Sequence, residues 1–269
     1  MKTQANVLTI AGSDSCCGAG IQADLKTFAA HEVYGTSVIT NVTAQNTQGV
    51  NKIHTLPLDI IDAQFKSIYD DIHISAVKIG MLNTKGTVEL IAKLLAEYQP
   101  EHIIIDPVMI SSSGKRLLEN SALEMFISEL LPIATLMTPN IPEAACLLDL
   151  TELEVQENLI ESTEALLKYG SKSVLLKGGH LEGSLCINTL NHLNQSYQYS
   201  NLKINSNNTH GTGCTLASAV CANLANKLPM PESVKLAGDY LNNSIKAADI
   251  FDIGSGKGPV NHFHTFNRL

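Results

Sequence analysis

A glycine-rich turn with a cysteine beside it is the segment of this sequence best suited to hold an anion. It reads NTHGTGCT over residues 208–215 and runs into small, helix-forming residues up to position 225. Glycines ahead of a helix let successive backbone N–H groups converge, and the helix dipole adds positive potential at the same point. The pattern predicts a phosphate cradle, although an ordinary glycine turn before a packed helix would explain the same residues. It is not a Walker loop, because no Gly-Lys-Ser/Thr follows.

Cys214 would lie in the first turn of that helix. The dipole would lower the pKa of the thiol toward neutrality, and the thiolate could then accept a proton from an alcohol. The alternative is a buried small hydrophobe, which is the commoner fate of a free cysteine.

A second turn, GSDSCCGAG at residues 12–20, follows an apolar run and precedes a segment that carries Asp24. In open parallel sheets ligands bind at the carboxyl ends of strands, so this turn is a candidate substrate site. Its spacing does not match the G-x-G-x-x-G fingerprint, which disfavours a nicotinamide-dependent oxidoreductase. Asp24 could equally be a solvated helix residue.

Three further polar positions follow apolar runs. Asp106 ends a strongly apolar strand, where a carboxylate is costly unless it is paired or binds a cation, so it is a candidate for holding magnesium through water or else a cap. Asn140 would cap a helix with Glu143 in its first turn, and a good helix start suffices to explain both. Lys177 ends another strand and could reach a phosphate or be solvated.

The elements that must position these residues alternate between short Val/Ile-rich runs and longer amphipathic segments. That alternation predicts an α/β fold with a doubly wound, mostly parallel central sheet flanked by helices on both faces, with at most a small flap, in one domain over residues 1–269. The predicted strands are residues 7–10, 38–42, 76–79, 102–105, 136–137 and 173–177. The predicted helices are residues 19–32, 58–71, 84–98, 119–131, 141–148, 162–169, 212–225 and 230–249. A polar hairpin is predicted within residues 183–208.

Composition narrows the classes of function. With 44% hydrophobic and 16% charged residues the chain can bury a large core, and its net charge of -8 disfavours nucleic acid and anionic membranes as partners. The N-terminus lacks the pattern of an export signal, no apolar run reaches membrane-spanning length, and the six cysteines show no metal-site spacing. We therefore expect a reduced, cytoplasmic protein.

Taken together, the motifs resemble those of the hydroxymethylpyrimidine/phosphomethylpyrimidine kinases of thiamine biosynthesis, a branch of the ribokinase superfamily. The matching blocks run in family order through the whole chain. They are TIAGSDSCCGAGIQAD (9–24), YGTSVITNVTAQNTQGV (34–50), KIGML (78–82), DPVM (106–109), TPNIPEA (138–144), KGGHLE (177–182), NTHGTGCT (208–215) and GPVNHFH (258–264). The loop at Cys16 and Cys17, which is usually Ser/Gly-like in that family, departs from it.

The resemblance implies a ribokinase-like fold and a set of residue roles. The aminopyrimidine ring would be held by Gly12, Asp24, Gln45, Met81 and Val108. The anion hole would be formed by Gly211, Thr212 and Gly213, with Cys214 as the base. ATP phosphates would lie near Asn140, Lys177 and Thr209, and Mg²⁺ would be organised by Asp106 and Glu143, partly through water.

The implied activity is ATP-dependent phosphorylation of 4-amino-5-hydroxymethyl-2-methylpyrimidine and then of its monophosphate, by a homodimer. A pyridoxal kinase or a dual-activity enzyme is the nearest alternative, and a non-catalytic metabolite sensor is an alternative of another class. The block around Gln45 and the serines at 111–113 favour the pyrimidine enzyme. Some dual-activity relatives carry a cysteine soon after DPVM, and this chain has none there.

Overall fold

The computed structural model describes residues 4–110, 116–179 and 184–266. Within these ranges nine strands form one sheet: β1 (Asn6–Asp14), β2 (Tyr34–Asn46), β3 (Gly49–Thr55), β4 (Ala76–Ile79), β5 (His102–Ile105), β6 (Leu136–Met137), β7 (Ser173–Leu176), β8 (Leu185–His192) and β9 (Gln195–Leu202). Their order is β3-β2-β1-β4-β5-β6-β7-β8-β9. The serines at 111–113 and position 183, where the predicted hairpin begins, lie outside the described residues.

The central six strands are parallel, and the antiparallel strands lie at the edges. Strands β2, β1 and β4 to β7 pair in parallel, whereas β3 pairs antiparallel with β2, and β8 and β9 extend the other edge antiparallel. The chain leaves β1 toward β2 on one side and later returns to β4 on the other. The carboxyl end of β1 therefore opens a crevice of the kind in which such sheets bind ligands.

The described helices are α1 (Gly20–Ala30), α2 (Leu58–Tyr69), α3 (Lys85–Tyr98), α4 (Asn120–Met125), α5 (Ile141–Leu148), α6 (Glu152–Glu157), α7 (Leu159–Leu167), α8 (Thr212–Ala225) and α9 (Met230–Lys246). A π-helical turn over Phe126–Leu130 and a 3₁₀ turn over Leu131–Ile133 continue α4. None of the helices in the described part of the chain is long and apolar enough to cross a membrane.

Two hydrophobic layers cover the two faces of the sheet. Side chains alternate along the strands, so Ile105 packs in the layer that contains Ile91 of α3, whereas its neighbour Ile104 packs in the layer that contains Val220 of α8. Helices α1, α8 and α9 contribute to the second layer, and α2 to α7 contribute to the first. The predicted mostly parallel α/β sheet with helices on both faces is confirmed.

Four details differ from the sequence-based expectation or extend it. Strand β3 was not predicted, because none of its residues is buried at the sheet edge and the segment gives little apolar signal. The helix predicted over 119–131 is interrupted by the π-helical turn, and α6 was not predicted. The polar hairpin is confirmed as β8 and β9, which are joined through Leu193 and Asn194 at φ of 50° and 58°.

Candidate active site

A cavity of about 860 Å³ lies at the carboxyl ends of the parallel strands. It collects segments that follow β1, β4, β5, β6 and β7, together with the first turn of α8. The predicted site residues that line it are Gly12, Gln45, Met81, Asp106, Val108, Asn140, Glu143, Lys177, Thr209, Gly211, Thr212, Gly213 and Cys214. One crevice thus brings together thirteen of the fourteen positions singled out in the sequence, Asp24 being the other.

The glycine turn before α8 has the backbone geometry of an anion-binding loop. Gly211 caps the helix in the left-handed region, at φ 82° and ψ 10°, and the Thr215 hydroxyl donates a hydrogen bond of 2.8 Å to its carbonyl oxygen. A Cβ on Gly213 would lie 3.4 Å from both Asp106 Oδ2 and Lys177 Nζ. The backbone N–H groups at the start of α8 therefore lie beside a cation and a carboxylate, at the place where phosphate charge would be stabilised.

Lys177 bridges two acidic side chains at this edge of the sheet. Its Nζ donates to Asp106 Oδ1 at 2.6 Å and lies 4.0 Å from Glu143 Oε2. The Asn140 side chain accepts from the Glu143 backbone N–H, and the Glu143 carboxylate accepts from the Asn140 N–H, each at 2.8 Å. This capping box fixes Glu143 in the cavity wall, so the helix start predicted at Asn140 also positions a carboxylate.

The charge of this cluster suits a further cation. Burial, together with repulsion from Asp106, raises the pKa of Glu143 to about 7 even though Lys177 opposes the shift. Two carboxylates with one ammonium leave a buried deficit of positive charge, which a magnesium ion would offset. The described residues contain no cluster of three or more metal-ligating side chains. A metal here would therefore complete its coordination with phosphate oxygens and water, and its assignment to Asp106 and Glu143 stays a prediction.

Cys214 lines the cavity, but its thiol does not have the lowered pKa expected from the helix dipole. Burial raises the pKa to about 11, and the negative charges of Asp24 and Asp106 add to that effect, whereas Lys78 opposes it. The expectation of a pKa near neutrality was wrong because burial and two nearby carboxylates outweigh one helix end. The side chain is a thiol at neutral pH.

The raised pKa predicts how Cys214 reacts with an alkylating agent. Only the thiolate is nucleophilic, so iodoacetamide labelling of Cys214 should accelerate about tenfold per pH unit between about pH 7 and pH 10. Peptide mass spectrometry resolves this cysteine from the other five. A labelling rate that levels off near neutral pH would show that the thiol is instead acidic.

Asp24 lies beneath the cavity and has three partners. It is fully buried, and its carboxylate accepts hydrogen bonds from Thr9 (2.6 Å), Ser218 (2.7 Å) and Lys78 (2.9 Å). These hydrogen bonds join α1 to β1, β4 and α8, so the Asp24 carboxylate is a buried link between these elements and does not line the cavity. Its predicted direct contact with the pyrimidine stays a prediction that this arrangement does not favour.

Sequence reasoning missed an aspartate–histidine pair next to Gln45. His210 Nε2 lies 2.8 Å from Asp14 Oδ2 and 3.1 Å from Gln45 Nε2. Burial alone would raise the pKa of Asp14, but hydrogen bonds from His210 and from the backbone of Ala19 and Cys16 outweigh it and lower the pKa. Asp14 and His210 both lie within motifs that the sequence analysis identified. Their titratable side chains were the signal that could have marked them as site residues.

Phosphoryl transfer needs hydrogen-bond donors where negative charge develops and an acceptor held in line with the phosphate. The glycine turn, the Lys177 cluster and the cavity wall at Gln45 lie together at one edge of this sheet, where they can meet both needs. The fold and the cavity together define a small-molecule kinase of the ribokinase-like class.

Comparison with known proteins defines the family. The phosphomethylpyrimidine kinase family matches residues 14–261, and the chain belongs to this family. It is 43% identical over 257 residues to the hydroxymethylpyrimidine/phosphomethylpyrimidine kinase of Rhizobium meliloti, which covers 96% of both chains. The resemblance recognised in the sequence and the predicted kinase class are confirmed.

Solved structures agree with this placement. A crystal structure of phosphomethylpyrimidine kinase from Clostridium difficile has a TM-score of 0.79 at 41% identity and covers 90% of this chain and 100% of that one. An ADP complex of pyridoxal kinase from Bacillus subtilis has a TM-score of 0.89 at 33% identity and covers 98% and 99%. The ribokinase-like neighbours thus include kinases of two related ring systems.

Proposed function

We propose that this chain uses MgATP to phosphorylate the hydroxymethyl group of 4-amino-5-hydroxymethyl-2-methylpyrimidine, and then the resulting monophosphate, in thiamine biosynthesis. The observation that carries the proposal is the single cavity that joins the Gln45 region to the Gly211–Gly213 turn. An acceptor ring at one end and a phosphate donor at the other would meet at that turn. Family membership supports the same reaction.

The acceptor end is shaped by the loop after β1 and the end of β2. The Ser15 hydroxyl donates to the Gln45 carbonyl at 2.8 Å and accepts from the Gln45 N–H at 2.9 Å, which fixes the backbone that presents the amide. Met81 and Val108 line the same cavity and offer apolar surface to a flat ring. An amide that can both donate and accept suits an aminopyrimidine edge.

The donor end extends along α8 and α9. Leu216, Leu241 and Ile245 line it with apolar surface, and Asn242 adds a polar group. This composition suits a purine base, whose phosphates would then point toward Thr209, Lys177 and the glycine turn. The ADP complex of the Bacillus subtilis relative supports a nucleotide as one of the ligands.

In the proposed reaction the backbone N–H groups of Gly211–Gly213 stabilise the transferring phosphoryl, and Lys177 stabilises charge on the donor phosphates. Magnesium, held by Asp106 and Glu143 directly or through water, would neutralise phosphate charge. Because burial raises the pKa of Cys214 to about 11, its side chain is a thiol at pH 7, so it would accept the hydroxyl proton only by passing its own proton on in the same step, to water or to an oxygen of the transferring phosphoryl group. The phosphate acceptor of the second step is already deprotonated and needs no base.

Replacing the thiol should therefore separate the two half-reactions. We expect Cys214→Ala to lower kcat for the first phosphorylation about 100-fold and kcat for the second less than about tenfold, because only the first acceptor carries a proton that must leave. Single-turnover measurements with each acceptor check this, with Cys17→Ala, an exposed cysteine, as the control. Equal losses in both steps would remove the base role.

The nearest competing function is pyridoxal phosphorylation, which the TM-score of 0.89 to a pyridoxal kinase favours. Coupled ATP turnover should be measured with hydroxymethylpyrimidine, its monophosphate and pyridoxal in parallel, with and without magnesium. Magnesium-dependent turnover of both pyrimidines supports the proposal. Turnover of pyridoxal alone would instead support a pyridoxal kinase. No turnover of any of the three acceptors would favour a metabolite sensor.

The setting of this activity is also part of the proposal. A biosynthetic kinase that uses ATP and a free pyrimidine fits a cytoplasmic location, and the family resemblance favours a homodimer. Light scattering of the purified protein at about twice the mass of one chain would support the dimer, whereas a single-chain mass would contradict it.

A further inference from the structure

The tail motif that begins at position 258 is part of a segment that crosses the active site. We call residues 254–259 the C-terminal strap. The Lys257 N–H donates to the Thr47 carbonyl at 2.9 Å, and the next residue, Gly258, accepts from the His210 N–H at 2.9 Å. Thr47 lies two residues after Gln45, and His210 directly precedes Gly211. The strap therefore joins the acceptor end of the cavity to the anion-binding turn.

Close packing fixes the position of the strap. A Cβ on Gly256 would lie only 2.1 Å from the Thr47 carbonyl oxygen, so only glycine allows this approach to the hairpin of β2 and β3. The Gly256 N–H also donates to the Thr47 hydroxyl at 3.1 Å, and the Gln48 side chain donates to the Ser255 hydroxyl at 2.6 Å. The backbone of Lys257 is thus held between the pyrimidine region and the phosphate region.

Lys257 differs from the other lysines that line the cavity. Lys78 is paired with Asp24, Lys177 is paired with Asp106, and Lys203 also takes part in an interaction within the fold. Lys257 lines the cavity and is exposed, and across the described ranges its side chain has no ion pair or hydrogen bond. It is a cation available to a ligand in a chain whose net charge is -8.

We propose that Lys257 recognises the phosphate of the pyrimidine monophosphate and so selects for the second substrate. This inference rests on the proposed function. In the proposed reaction the ring lies at Gln45 and the transferring phosphoryl lies at Gly211–Gly213. The hydroxymethyl group of the pyrimidine, or its phosphate in the second step, then lies between these two places, where the strap carries Lys257. The monophosphate adds a charge of about −2 at that point. The nearby carboxylates of Asp106 and Glu143 repel that charge, whereas an ammonium attracts it.

A graded series of substitutions at Lys257 tests this selection. The measured quantity is kcat/KM for the monophosphate divided by kcat/KM for the alcohol, at saturating MgATP. We expect this ratio to fall about tenfold in Lys257→Met and about 100-fold in Lys257→Glu, mainly through the KM of the monophosphate, and to stay within about twofold in Lys257→Arg. Added salt should raise the KM of the monophosphate in the wild type more than in Lys257→Met.

Lys52→Met is the matched control, because Lys52 is an exposed lysine on β3 that does not line the cavity. It should leave the ratio unchanged. A ratio that is unaltered in Lys257→Met, or equal losses with both acceptors, would overturn the inference while leaving the proposed function intact. A wild-type protein that turns over neither acceptor would overturn the proposed function and the inference with it.

Discussion

Gly211→Ala should reduce kcat/KM at least about 100-fold with either pyrimidine acceptor. At φ 82° an alanine is strained, and its Cβ would lie 1.8 Å from the carbonyl oxygen of Gly18, which is backbone and cannot rotate away. The glycine turn must shift, and the N–H groups at the start of α8 then no longer converge on one point. Losing one such donor costs about 10²–10³ in rate in other anion holes.

The measurement is steady-state turnover together with urea unfolding, so that a loss of activity can be separated from a loss of fold. We expect the free energy of unfolding to fall by about 1–3 kcal/mol. Gly86→Ala in α3 is the control, since a Cβ there meets only the flexible end of Leu58, at 3.3 Å. Near-normal activity of Gly211→Ala would show that the turn is not the anion site.

Lys78→Met should destabilise the fold by about 3–5 kcal/mol, because it leaves the buried Asp24 carboxylate without its cation. Both side chains are fully buried, and their 2.9 Å ion pair joins β4 to α1. Burial alone would lower the pKa of Lys78, but attraction by Asp24 outweighs it and raises that pKa above its ordinary value. The lysine is therefore charged in the folded protein.

The double variant Lys78→Met/Asp24→Asn isolates the charge. The amide can still bond to Thr9 or Ser218 but carries no unpaired charge, so we expect it to recover at least about half of the lost unfolding free energy. Urea unfolding of the wild type, both single variants and the double variant completes the cycle. Purely additive losses would mean that the pair is not coupled.

The general position of the site could be predicted from the sequence because it follows from the order of the elements. Asp106 and Lys177 each come at or just after the end of a short apolar strand, and parallel strands bring such ends to one edge. The glycine turn and the Asn140 capping box are local patterns in which neighbouring residues interact. Such features need no knowledge of distant contacts.

What could not be predicted depends on long-range packing. The Asp14–His210 pair joins residues 196 positions apart, and Asp24 meets Lys78 54 positions away. The pKa of Cys214 depends on how deeply α8 is buried against α1 and β4, which one turn of sequence does not reveal. Strand β3 gave no signal because an exposed edge strand needs few apolar side chains.

The most direct test of the account is the identity of the product. Phosphorus NMR should follow purified protein with hydroxymethylpyrimidine and MgATP over time. We predict that a phosphomonoester signal appears first and is then replaced by the two coupled signals of a diphosphate. Two results would contradict the two-step kinase. One is a reaction that stops at the monophosphate even when the monophosphate itself is supplied. The other is ATP consumption without any phosphorylated pyrimidine.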